Sequence, residues 1–183
     1  MMNIKKILKA SAFYIFNSFI TNVPFYFIRH EYLKKILKIK IGRNTAVHMG
    51  CFFSGTQVTI GNNSVLNRRC YVDGRAEVII GDNVSISPEV YILSLDHNVQ
   101  SNNFSTTPEK TVINDYTWIG VRSIILPGIE LSKGSVVGAG SVVTRNTNQF
   151  EIVAGNPAKK INERTKNLTY QINYFPLFDT DEM

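Results

Sequence analysis

From residue 41 onward an aliphatic residue returns at every sixth position. The hexads IGRNTA, VHMGCF, IGNNSV, LNRRCY, IGDNVS and ISPEVY carry the pattern to residue 91, and INDYTW, IGVRSI, ILPGIE, LSKGSV and VGAGSV resume it at residue 113. Position one is always Ile, Leu or Val. Position five is small or β-branched: Thr45, Cys51, Ser64, Cys70, Val84, Val90, Thr117, Ser123, Ile129, Ser135 and Ser141. A period of six fits neither a helix nor a simple alternating strand. It predicts short strands joined by tight corners, with positions one and five inside and Asn or Gly at position four taking positive φ. Stacked turns of this kind form a parallel β-helix, in which each turn buries its neighbours. The two cysteines, Cys51 and Cys70, fall at position five and are therefore expected to be small interior residues, not a catalytic thiol.

The pattern is interrupted around residues 57–59 and 73–79 by a few extra residues, which fit as bulges at corners. One large interruption, about residues 96–111, is polar, contains Pro108 and begins just after ILSLDHN. It predicts a loop leaving the stack. The chain thus divides into an N-terminal arm (1–40), a β-helix (41–161) and a C-terminal tail (162–183).

The net charge of +6 lies in the arm. Residues 1–40 hold eight bases against Glu31 alone, while the remaining 12 bases face 13 acids. A nucleic-acid binder would spread its basic residues over a reading surface, so nucleic acid is not an expected partner. The arm is rich in aromatics, Ile and Leu, yet Asn17, Ser18, Thr21, Asn22 and Pro24 interrupt it too often for a membrane span. No small-residue cleavage site follows the apolar stretch, so a cleaved signal peptide is not expected either. Pro24 predicts two short amphipathic helices. These would pack on the domain or on a neighbouring subunit; the alternative is peripheral contact with an anionic membrane surface.

The stretch IGVRSIILPGIELSKGSVVGAGSVVTRNTNQFEIVAGNPAKKI, together with the hexads before it, resembles the hexapeptide-repeat acyltransferases, in the branch of galactoside, maltose and xenobiotic acetyltransferases. The resemblance covers about residues 41–161. It implies a mainly β fold, a left-handed parallel β-helix, with a short C-terminal helix or tail, a homotrimer, and acetyl-CoA as co-substrate with no metal. Of three histidines, His30 in the arm and His48 at position two read as ordinary surface residues. His97 stands at the start of the excursion, after an SPxV-like coil, where the resemblance implies the catalytic base. Neutral imidazole suits removal of a proton from an attacking hydroxyl. Asp96 is not cast as its partner, because adjacent extended side chains point to opposite faces; a backbone carbonyl would serve.

By the same resemblance the oxyanion meets backbone N–H groups of the Gly120–Val121 turn, contributed by the neighbouring subunit as in a family that shares its sites between subunits. Val121 stands where galactoside enzymes have a serine. Ala139 and Thr144 match positions along the pantetheine and adenine end of CoA. Lys159 matches a phosphate-binding arginine, and a second family arginine falls on Asn162, leaving Lys160 or Arg164 to replace it. Asn67 matches an acceptor-binding asparagine, Asp73 stands near a family aspartate, and Trp118 would stack on the acceptor or pack on the next subunit. The expected activity is O-acetylation of a sugar in surface polysaccharide or glycolipid synthesis, in the cytoplasm or at the inner face of the membrane. The alternatives are N-acetylation of an amino sugar and a non-catalytic β-helix scaffold. A γ-type carbonic anhydrase would need three zinc-binding histidines, and the repeats hold only His48 and His97.

Overall fold

The computed structural model describes residues 3–180. Residues 40–163 form a three-faced solenoid of parallel strands. The first face stacks Lys40–Ile41, Val58–Ile60, Val78–Ile80, Thr111–Ile113 and Glu130–Leu131. The second stacks Ala46–Val47, Val65–Leu66, Ser85–Ile86, Trp118–Ile119, Val136–Val137 and Glu151–Gly155, and ends on the antiparallel strand Ala158–Glu163. The third stacks Phe52–Ser54, Tyr71–Asp73, Tyr91–Ile92, Ile124–Ile125 and Val142–Val143. Each coil buries the apolar face of the next, giving the β-helix that the hexads predict.

The inward positions are those of the repeat. Every position-five residue named above is buried, and so is position one from Val47 to Val137. Hydroxyls in the position-five column donate to backbone carbonyls: Thr45 to Gly61 O at 2.6 Å, Ser64 to Gly81 O at 2.8 Å and Ser123 to Gly138 O at 2.9 Å. The cysteines follow the same rule, Cys51 Sγ meeting Asn67 O at 3.1 Å and Cys70 Sγ meeting Ser87 O at 3.2 Å. Burial pushes the Cys70 thiol well up, as expected of an inert interior thiol.

At the corners the positive φ is imposed on whatever residue stands there. Asn44, Asn63 and Gly50 adopt it, but so do Arg69, Glu89 and Arg122, each at φ 59°. These three share the corner between the second and third faces and form a charge ladder, with Arg122 to Glu89 at 2.6 Å and Arg69 to Glu89 at 3.9 Å.

The arm closes the first coil. Helix α1 (Ile4–Ser18) and helix α2 (Tyr26–Glu31), which continues as a wider turn Tyr32–Ile36, are separated around Pro24 as the sequence predicts. Phe16, Leu33 and Leu37 are buried against the stack. Polar groups of the arm satisfy the edge of the first coil, which no further coil covers. The Asn17 amide donates to Phe53 O (2.9 Å) and accepts from Phe53 N–H (3.1 Å), and Thr21 donates to Cys51 O (2.7 Å). Arg29 donates to Val47 O, and His30 Nε2 accepts from Val47 N–H at 3.2 Å.

This corrects the surface reading of two histidines. His30 is half-buried as an edge acceptor, and His48 is 2 % exposed, stacked on Tyr174 at 5.4 Å. Burial first, then Lys34 and Arg29, lower the pKa of His30 to about 4, against a smaller opposing effect of Asp179. The unfolded chain binds a proton near pH 6.5 that the folded chain refuses, so stability is full above that pH and falls as pH drops from about 6.5 to about 4. His48 is shifted in the same direction. Replacing His30 by Gln, which keeps an acceptor but does not titrate, is expected to flatten this part of a plot of Tm against pH. Parallel curves for the two proteins would remove His30 as the cause.

Among the described residues the tail beyond residue 163 is extended, with a single short helical turn at Leu177–Asp179. After the Ala158–Glu163 strand it runs back along the second face to the arm. Tyr170 meets Tyr116, Tyr174 meets His48, Phe175 meets Tyr26, and Asp179 pairs with Arg29.

Candidate active site

His97 stands on a hairpin, not on an irregular loop. Leu95–His97 pairs antiparallel with Thr106–Pro108, setting His97 opposite Thr106. The β-branched Thr106 and Thr107 favour the second strand, and Asn98 closes the tip by accepting from Gln100 N–H at 3.0 Å. The base of the hairpin is fixed to the stack through buried Ser94. Its hydroxyl donates to Asp73 O and accepts from Ala76 N–H, while its carbonyl accepts from Glu109 N–H.

The imidazole is held by Phe104. Nδ1 lies 3.1 Å from Phe104 O, and the two rings stack at 4.2 Å with 9° between their planes. Since a carbonyl only accepts, Nδ1 carries the proton, which in the neutral ring fixes the tautomer that has its lone pair on Nε2. Asp96 is not the orienting group: its Oδ1 accepts from the His97 backbone N–H at 2.7 Å. Phe104 adopts φ 48°, so the carbonyl that holds the ring comes from a left-handed backbone position.

A second group of predicted residues occupies the corner between the second and third faces. Asn67, Gly120–Val121 and Ala139 each follow a second-face strand at that corner, with the level of Ser87 between Asn67 and Gly120 and Ala139 on the level next to Gly120. The Asn67 amide donates to Ile86 O at 2.9 Å, which leaves its carbonyl oxygen for a ligand. Gly120 N–H goes to Val137 O and Arg122 N–H to Pro88 O, making the Val121 N–H the candidate oxyanion donor. A Cβ at Gly120 would lie 2.6 Å from Ala139 N, so this close stacking of corners requires glycine.

Trp118, on the outside of the second face, donates from Nε1 to Ser87 Oγ at 3.2 Å. With Val65, Asn67 and Ser85 it forms one wall of a cleft of about 470 Å³, whose other wall is the tail: Arg164, Tyr170, Ile172 and Tyr174. Arg164 donates to Tyr116 O at 2.8 Å and to the Tyr170 hydroxyl at 3.2 Å. Sequence reasoning did not find the tail's part in this cleft.

At the far end, exposed Lys159 and Lys160 share a hollow of about 290 Å³ with Arg145, Asn146 and Asn148. Thr144 is exposed just before it. Arg145, also unforeseen, adds a guanidinium to the two ammonium groups, while Lys160 is paired with Glu163 at 2.6 Å. Asp73 differs from the rest of the predicted set. It is fully buried, and both its oxygens are held by Arg75 at 2.8 and 2.9 Å, so it fixes the turn of the bulge and presents Arg75 outward.

The structure does not bring His97 and Asn67 together within one chain. The hairpin leaves the corner between the third and first faces, whereas Asn67, Val121 and Ala139 lie on the corner between the second and third.

Residues 110–145 match the family described as the hexapeptide repeat of succinyl-transferase. The chain is 31% identical over 150 residues to a galactoside O-acetyltransferase of Escherichia coli K12, covering 78% of this chain and 74% of that enzyme. It is 36% identical over 123 residues to a Saccharomyces cerevisiae protein named as an acetyltransferase, covering 66% of this chain but only 63% of the yeast protein. Among solved structures, a maltose O-acetyltransferase from Clostridium difficile 630 superposes with a TM-score of 0.65 at 26% identity, covering 86% of this chain and 85% of that one.

Proposed function

Because the chain belongs to the hexapeptide-repeat acyltransferases, we propose that it transfers an acetyl group from acetyl-CoA to a sugar hydroxyl, with His97 as general base. The observation that carries this reading is the anchored imidazole: Nδ1 is committed to Phe104 O and Nε2 stands free on an exposed hairpin. Nε2 takes the hydroxyl proton as the oxygen attacks the thioester carbonyl. The resulting oxyanion is met by the Val121 N–H. Collapse expels the CoA thiolate, which recovers the proton from the imidazolium. Cys51 and Cys70 are buried, so attack is direct, without an acyl-enzyme.

Two copies supply one site. A neighbouring chain that presents its His97 hairpin to the Asn67–Val121–Ala139 corner completes it, and a cyclic trimer closes such a head-to-tail contact. CoA then runs from Val121 past Ala139 and Thr144 to the basic hollow of Lys159, Lys160 and Arg145. The acceptor lies in the cleft of Asn67, Trp118 and the tail, whose aromatic rings suit the apolar face of a sugar.

The test supplies acetyl-CoA with a panel of sugars and reads both thiol release and the product linkage. Acetyl esters on sugars without an amine are the expected result. The same base and donor site could act on an amine, so product found only on amino sugars would replace the reading with N-acetylation. No CoA binding at all would leave a scaffold.

A further inference from the structure

Helix α1 is built with its apolar stripe facing away from the protein. Its inward side is Ala12, Phe13 and Phe16. Its outward side carries Ile4, Leu8 and Ile15, at helical spacings of four and seven, and Phe19 follows at its C-terminal cap, with Ile4 65 %, Leu8 63 % and Phe19 60 % exposed. A surface helix ordinarily places its polar residues there. Residues 3–10, the first two turns, are exposed throughout, Lys5, Lys6 and Lys9 among them. Phe25, Phe27 and Ile36 of the second helical segment are exposed too, beside exposed Lys34, Lys35 and Lys38. Glu31, the single acid of residues 3–40, is neutralised by Lys35.

We propose that this arm docks the protein on an anionic bilayer surface, with α1 lying in the interface. The charge selects this occupant: the arm's eight bases against one acid repel a second copy of the same arm, whereas anionic headgroups complement them. The geometry is that of an interfacial helix, since no helix among the described residues is long and apolar enough to cross a membrane. The other side of the arm is already used to close the first coil, so docking needs no rearrangement of the fold. The inference is independent of the acyl-transfer chemistry.

The test is co-sedimentation of the full chain with vesicles of phosphatidylglycerol and phosphatidylcholine in equal parts, beside vesicles of phosphatidylcholine alone. Binding to the anionic vesicles at low salt, with release as salt is added, is expected. Ile4→Gln with Leu8→Gln should weaken partitioning by at least about tenfold, since each side chain loses its transfer from water. Lys5→Gln, Lys6→Gln and Lys9→Gln together should do at least as much, at roughly fivefold per lysine. Both sets alter exposed residues, so an unchanged melting temperature and unchanged acetyl transfer to a soluble sugar confirm that the body is intact. Absence of binding at low salt, or equal binding to both vesicle types, overturns the proposal. So does a change of oligomeric state in the Ile4/Leu8 variant without a change in partitioning, which would assign the stripe to a second copy of the chain.

Discussion

His97→Ala lowers turnover by at least about 10²-fold, the lower end of general-base contributions, while the KM for acetyl-CoA and the melting temperature stay near their original values. The side chain is exposed and holds no part of the core, so its removal costs the fold little. His97→Asn is the sharper control, because it keeps a polar group of similar size without the basic nitrogen. The proposed division of the site between copies gives a second arm to the experiment. A chain carrying Ala139→Glu, which sets a carboxylate in the path proposed for CoA, should be inactive by itself. Co-expressed in equal amount with His97→Ala chains, it should restore activity to about a quarter of the original, since one interface in four then joins an intact hairpin to an intact corner. Near-normal turnover of His97→Ala removes the residue from catalysis. Failure of the mixed assemblies to regain activity overturns the sharing of the site between copies.

Arg29→Ala should cost about 3–5 kcal/mol of stability, the usual penalty for removing one partner of a buried ion pair. Both side chains of the Arg29–Asp179 pair are 0% exposed at 3.2 Å. The guanidinium also donates to Val47 O and Val23 O, while Asp179 accepts from Met49 N–H. Removing the arginine strands a carboxylate in a dry site and frees three carbonyl and carboxylate acceptors together. Replacing both partners with apolar residues, as in Arg29→Met with Asp179→Leu, should cost less than Arg29→Ala, because no charge is left uncompensated. Denaturant melts of the three proteins settle the order. A loss below about 1 kcal/mol for Arg29→Ala would mean that the pair is not closed in solution.

The solenoid was legible because its signal is periodic and local: position one, position five and the corner each impose one physical demand, repeated from Ile41 to Val142. The hairpin was legible only as an interruption. Its pairing depends on Leu95 and Pro108 meeting across twelve residues, and the role of Phe104 depends on a left-handed residue turning its carbonyl back to His97. His48 sits at an outward-looking repeat position and is nonetheless buried, because the tail lies over it. That contact, like Arg29 with Asp179, joins segments more than a hundred residues apart in a stretch with no repeat to read. Asp73 resembled an acceptor ligand by position, and only the return of Arg75 onto its carboxylate shows that the bulge consumes it.

A stack of coils ordinarily loosens from its ends, since a terminal coil has one neighbour and an inner coil has two. Here residues 164–179 carry the last coil's chain back to the cap of the first and lock it there with Arg29 and Asp179. The two ends share one fastening. Neither can fray without parting the same buried pair, so a linear array gains the all-or-none opening of a closed hoop. Amide hydrogens of the first coil should then exchange with solvent by the same concerted event as those beside the tail's point of departure, although the length of the solenoid separates them.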